Sequence, residues 1–272
     1  MTLGSWRHAF DNRSSSSFFE YLRQTAPHLL PGADAPIPGE PPASGAMPPV
    51  PHGTTVLALR YRDGVVIAGD RQASEGYQVA HRRIEKIFKA DDLSAVGIAG
   101  AAGPAMEMAR LFQTELEHYE KVEGENLSLD GKANRLGAMI RANLPMAMQG
   151  LVVVPIFAGF DERAGMGRLF KYDVTGGRYE EADYFAQGSG GKDARDSLKK
   201  SFRRDMPKDD AVRAALEALL DAADEDLGTG GPDFQRGIYP TVKTITRSGI
   251  TDLTDEDVRR VLDAILSNRG RS

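Results

Sequence analysis

The 272-residue chain is 41% apolar and 27% charged, the balance of an ordinary globular protein with ample length for a buried core. Its net charge of −5 offers no basic stripe for phosphates, which argues against nucleic acid as a partner, and the absence of cysteine excludes disulfides, thiolate metal sites and a thiol nucleophile. No apolar run approaches the roughly 18 residues of a membrane span, no secretory pattern is present, and the five histidines lack metal-ligand spacing, so a cytoplasmic protein without metal or cofactor is expected.

Residues 1–53 hold nine of the fifteen prolines, and Pro31 to Pro51 reads as an extended linker. Ahead of it, Ser17 to Arg23 places Phe18, Phe19 and Leu22 on one face of a short amphipathic helix. Such a leader fits either a propeptide with a docking helix or a solvated tail.

At Gly53-Thr54-Thr55 the pattern changes to period two. Thr55 to Tyr61 and Val65 to Asp70 flank Asp63-Gly64, a hairpin signal, which makes Thr54 the start of an edge strand. Two more strands are expected over Ile84 to Lys89 and Leu93 to Gly100. Helices follow from about Pro104 to Lys121, with Met108, Leu111, Phe112 and Leu116 as an inward stripe, and from Leu129 to Met148 behind a Ser128 cap, with Leu136, Met139, Ile140 and Leu144 inward. The order then repeats. Strands are expected over Leu151 to Phe160, Arg168 to Val174 and Tyr179 to Gln187, and helices over Lys192 to Arg203 and Asp209 to Asp226. A last hairpin, Tyr239 to Thr246 and Ile250 to Leu253, precedes a terminal helix over Asp255 to Ser267. This order predicts an α+β fold, two antiparallel sheets face to face with helices outside, an αββα sandwich formed by residues 54–272 as one domain.

Thr54 would become a nucleophile if Gly53-Thr54 were cleaved, because its freed α-amine, with a pKa of about 7.7–8.0, suits a general base. Asp70 and Lys86 are charges in or at apolar strands, where each needs a partner. Their pairing beside Thr54 would favour its deprotonated hydroxyl, while a purely structural ion pair is the plainer reading. Gly100, ahead of a helix, could offer an N–H to an oxyanion, or Gly97 to Gly103 could be only a turn.

Six motifs, Gly53-Thr54-Thr55, Ala68-Gly69-Asp70-Arg71, Ile84-Glu85-Lys86-Ile87, Ile98-Ala99-Gly100, Gly188-Ser189-Gly190 and Asp226-Leu227-Gly228-Thr229-Gly230-Gly231, span most of residues 54–272. In order and spacing they resemble proteasome β subunits of the actinobacterial type. The resemblance implies an N-terminal-nucleophile hydrolase fold and a threonine endopeptidase, with Thr54 as nucleophile, Asp70 and Lys86 tuning it and Gly100 as oxyanion donor. Ser189, Asp226 and Thr229 match the supporting residues, and Leu227 stands where a small polar residue is common. Ala73, Ile84, Ile98, Ala102 and Met106 match the specificity pocket and imply cleavage after large hydrophobic residues. The expected partners are α subunits, other β subunits in seven-membered rings, a ring ATPase, and polypeptides carrying a ubiquitin-like tag. Against this stand a structural ring subunit that never processes itself, the simpler ATPase-dependent double-ring protease, whose chains are shorter, and a non-catalytic binding module. The presence of Thr54, Asp70 and Lys86 disfavours the first, and the long leader disfavours the second.

Overall fold

Strand β1 (Thr55–Tyr61) is buried on both faces, so its side chains alternate in size rather than polarity. Val56 and Ala58 meet a second sheet, while Leu57 and Leu59 meet helices. The computed structural model describes residues 53–75 and 78–270; the proline-rich segment and the helix expected over Ser17 to Arg23 lie outside the described residues.

β1 pairs antiparallel with β2 (Gly64–Gly69) on one side and β10 (Tyr184–Gly188) on the other, and β11 (Thr241–Thr246) and β12 (Gly249–Asp252) extend the sheet in the order β10-β1-β2-β11-β12. The second sheet runs in sequence order through β5 (Ile87–Asp91), β6 (Ser94–Gly100), β7 (Val153–Asp161), β8 (Met166–Tyr172) and β9 (Arg178–Glu181). A ribbon of β3 (Ala73–Glu75) and β4 (Gln78–His81) stands apart from both.

Between the sheets lie Val56, Ala58, Val65 and Ile67 from the first and Ile87, Ala95, Ala99, Ile156 and Ala158 from the second. The many alanines on this face let the sheets approach closely. Helices α1 (Ala102–Glu123) and α2 (Leu129–Ala142) cover the second sheet, where Phe157 meets Phe112 edge-on at 5.8 Å and stacks on Phe170 at 6.1 Å. A single turn, α3 (Leu144–Ala147), follows α2. Helices α4 (Gly191–Ser201), α5 (Lys208–Glu225) and α6 (Asp255–Arg269) cover the first sheet. The expected four-layer αββα sandwich is the one observed. Among the described residues no helix is long and apolar enough to cross a membrane.

Several boundaries differ from expectation. β1 is an inner strand, because β10 returns to pair with it. Its hairpin turn is Arg62-Asp63, with Gly64 already in β2, where the Ile245 carbonyl leaves no room for a side chain. Ile84 to Lys86 precede β5 rather than belonging to it, and the polar stretch before them contains the β3–β4 ribbon. Pro104 is the third residue of α1, not the first, and Leu111 is exposed. The second helix breaks at Asn143, since Pro145 has no N–H to continue the ladder, and Leu144 is only half-buried. The run from Tyr179 to Gln187 is two strands in different sheets.

Candidate active site

Asp70 follows the last residue of β2, where its amide still donates to Thr55 O at 3.1 Å. Its carboxylate in turn accepts four hydrogen bonds. Oδ1 takes Thr55 N–H at 2.8 Å and Lys86 Nζ at 2.6 Å, while Oδ2 takes Gln72 N–H at 3.0 Å and Gly230 N–H at 2.9 Å. Asp70 and Lys86 are 1% and 5% exposed, so the pair is desolvated, and the backbone donors are what make a buried carboxylate tolerable there. Burial pushes the Lys86 ammonium below the usual lysine range, against the opposing pull of Asp70. Lys86 Nζ also reaches Gly53 O at 3.3 Å.

Thr54 stands at the mouth of β1. Its Oγ1 donates to Gly53 O at 2.6 Å, and its carbonyl accepts Ser189 N–H at 2.9 Å. This contact is close because Gly188, at φ +107°, brings the end of β10 so near that a Cβ there would lie 1.9 Å from Thr54 O. Thr54 N lies 3.4 Å from Ser189 Oγ, which donates to Asp226 Oδ2 at 2.5 Å. The single hydroxyl proton of Ser189 is committed to the carboxylate, so towards Thr54 N the serine oxygen is an acceptor.

A second relay ends on the same carboxylate oxygen. Thr229 Oγ1 donates to Asp226 Oδ2 at 2.6 Å, which leaves Thr55 Oγ1 as the donor in its 2.6 Å contact with Thr229 Oγ1. Gly190 N–H completes the chain by donating to Thr55 Oγ1 at 3.1 Å. Asp226 itself follows the C-terminus of α5, and its Oδ1 is tied to Gly228 N–H at 3.1 Å.

Beside Gly53, Thr54 and Lys86 opens a pocket lined by all five residues matched to substrate binding, Ala73, Ile84, Ile98, Ala102 and Met106, together with Phe88 and Ala105. Glu85 is its acidic wall residue, and its Oε1 accepts Ile87 N–H at 3.1 Å. Gly100 lines the same pocket at the end of β6, with φ at +120° and the Val152 carbonyl packed where a side chain would begin.

The structure therefore brings together the candidate catalytic and pocket residues named from the sequence. Sequence reasoning missed three more. Thr55 reads as an ordinary first strand residue but is fully buried with its hydroxyl in the relay. Gly230 reads as turn but gives its N–H to Asp70. Gln72 reads as loop, yet its Nε2 donates to Leu227 O at 3.0 Å and Ser74 Oγ at 3.2 Å, joining the Asp70 segment to the loop after α5. The unusual Leu227 is 91% exposed and contributes only its carbonyl, which explains why its side chain does not disturb the site. Among the described residues no group of acidic and imidazole side chains is placed to hold a metal ion.

A threonine at the head of an inner strand of an αββα sandwich, flanked by a buried aspartate–lysine pair, defines an N-terminal-nucleophile hydrolase fold. The family model described as proteasome subunit matches residues 50–233. Proteins named proteasome subunit beta are 51% identical in Frankia alni, over 97% of this chain and 94% of that protein, and 53% identical in Acidothermus cellulolyticus, over 96% and 89%. The chain belongs to the proteasome subunit family, as a β subunit.

Proposed function

We propose that the chain is a threonine endopeptidase made as an inactive precursor, with residues 1–53 as propeptide and residues 54–272 as the catalytic domain. One observation carries this reading: Thr54 Oγ1 lies 2.6 Å from Gly53 O, and Lys86 Nζ stands 3.3 Å from the same oxygen. The hydroxyl and a cation thus meet at the peptide bond to be cut. Relatives that align over 97% of the chain must align with part of residues 1–53 as well, which supports a shared leader.

In this reading Thr54 Oγ attacks the Gly53 carbonyl carbon, with Lys86 stabilising the charge that develops on its oxygen. The C–O bond forms, the Gly53–Thr54 C–N bond breaks, and the hydroxyl proton ends on the Thr54 nitrogen. Water then hydrolyses the ester, releasing Gly53 as a carboxylate and restoring the hydroxyl. The freed amine is the base for every later turnover, so the uncleaved chain is inactive towards peptides. Ser189, anchored on Asp226 with Thr229, holds that amine, Asp70 fixes Lys86, and the Gly100 N–H receives the oxyanion. Substrate side chains enter the pocket of Ala73, Ile84, Ile98, Ala102 and Met106, whose apolar lining selects large hydrophobic residues.

Membership of the β-subunit group supports assembly with α subunits into stacked seven-membered rings around an enclosed chamber. A ring ATPase would feed in polypeptides bearing a ubiquitin-like tag, in the cytoplasm and without cofactor. The test is intact mass and N-terminal sequencing after co-expression with the α partner, for the natural chain and for Thr54→Ala. A mature chain beginning at Thr54, absent from the variant, is expected. A fully assembled particle retaining residues 1–53 would instead favour a structural subunit.

A further inference from the structure

A second pocket is lined by segments that adjoin Asp70. Its wall includes Arg71, Arg82, Gly230, Asp233 and Tyr239. Arg71 Nε is buried and has no hydrogen-bond partner, and among the described residues neither Arg71 nor Arg82 takes part in an ion pair. Asp233, the acid in the wall among the described residues, does not neutralise them. Asp233 accepts Arg236 Nη1 at 2.7 Å and Arg236 N–H at 2.9 Å, and is thereby paired with its own cation. The neighbouring Arg83 adds a further positive charge, with its Nη2 on Arg236 O at 2.7 Å.

A buried guanidinium N–H without an acceptor is costly, and two unpaired arginines on one concave surface have the chemistry that recognises a planar anion through paired N–H donors. We propose that this pocket binds a carboxylate, gripped by Arg71 with Arg82 as the second cation. Its position gives the occupant a consequence. Arg71 directly follows Asp70, and Gly230, in the same wall, donates its N–H to Asp70 Oδ2 at 2.9 Å. A bound carboxylate would bridge the two segments that hold Asp70 in place. The carboxylate could be an acidic side chain of a neighbouring subunit or a free small acid; the chemistry of recognition is the same.

The test reads binding rather than proteolysis, so its failure and that of the endopeptidase reading are separable. The full-length chain is melted in rising sodium succinate, with sodium chloride holding ionic strength constant, alongside Arg71→Met and Arg82→Met. A saturable rise in Tm of about 2–4 °C is expected for the natural chain and is lost or much reduced in both variants. Should Arg71→Met not fold, the exposed Arg82 carries the comparison alone. An equal succinate shift in the natural chain and Arg82→Met, or no shift in any, would overturn the proposal. The source of the carboxylate follows from arginine modification by phenylglyoxal in the particle assembled with the α partner. Protection of Arg82 without added succinate identifies a neighbouring subunit's side chain, and protection only with succinate identifies a free acid.

Discussion

At the residue scale, the site depends on a clip that carries no charge. Gln72 gives its backbone N–H to Asp70 and its side-chain amide to Leu227 O, so one residue sets the distance between the Asp70–Lys86 pair and the Asp226 relay. Replacing Gln72 by Ala keeps the backbone link to Asp70 and removes the side-chain bonds to Leu227 O and Ser74 Oγ. On the endopeptidase reading proposed above, we expect about a ten-fold fall in peptide hydrolysis by the chain cleaved at Gly53-Thr54, about 1.4 kcal/mol in the barrier, with KM little changed. Steady-state kinetics on a fluorogenic peptide checks this, and a change confined to KM would assign Gln72 to substrate binding instead. The pocket makes a second prediction. Met106 is half-buried in the first turns of α1 and lines the pocket wall, so Met106→Glu should shift cleavage towards basic residues at the expense of large apolar ones. An unchanged peptide profile would withdraw the pocket assignment.

Several of the residues in this site were legible in the sequence, and two of the three exceptions, Gln72 and Gly230, have a common cause. Thr54, Asp70 and Lys86 stand out because a threonine after glycine at the start of an apolar run, or a charge in or at one, demands a reason, whereas Ser189, Asp226 and Thr229 were marked only by the family resemblance. Gln72 and Gly230 act largely through backbone N–H groups or an uncharged amide, and these leave no compositional mark. Their roles exist only once two distant segments are adjacent.

At the element scale, the turn after β8 shows local chemistry fixing a connection between strands. Asp173 accepts the Thr175 hydroxyl at 2.6 Å, Thr175 N–H at 2.8 Å and Gly177 N–H at 3.0 Å through Oδ1, and the Tyr179 hydroxyl at 2.9 Å through Oδ2. These bonds, the Thr175 hydroxyl first, lower the Asp173 pKa to about 2. Because the folded value lies below the unfolded one, the contribution is present above the unfolded pKa, near 3.8, and fades as pH falls towards 2. Asp173→Ala should therefore be less stable than the natural chain at neutral pH, with the gap closing between about pH 4 and pH 2. Urea denaturation at a series of pH values measures it, and a gap independent of pH would mean that the carboxylate charge plays no part in the turn.

The boundary between β9 and β10 shows the opposite case. Nothing in Tyr179 to Gln187 interrupts an extended pattern, since the run holds neither glycine nor proline. The corner is made by contact: Arg60 of β1 donates its N–H to Asp183 O and its Nη1 to Ala182 O, both at 2.9 Å. β10 then pairs with β1 and brings Ser189 beside Thr54. Had the run continued as one strand in the second sheet, Ser189 would not link Asp226 to Thr54.

At the scale of the whole molecule, the close approach of the two sheets is what keeps the site together. Asp70 leaves the first sheet and Lys86 precedes the first strand of the second, so their pairing spans the sandwich. The layer between the sheets is built from side chains such as Ile67, which is fully buried. Ile67→Ala should cost about 2–5 kcal/mol, seen as a lower urea midpoint with an unchanged m-value. A loss under 1 kcal/mol would show that the sheets can close over the gap.

The sequence alone determined the class of fold, the succession of strands and helix pairs, and the chemical types gathered at Thr54, because apolar periodicity and isolated polar residues are local properties of the chain. Only the tertiary structure decided which sheet each strand joins, that β1 lies inside its sheet, and that Thr55, Gln72 and Gly230 complete the site. Strand pairing is a contest between edges remote in sequence, and a hydrogen bond from a backbone amide is available to every residue until packing selects the one that makes it.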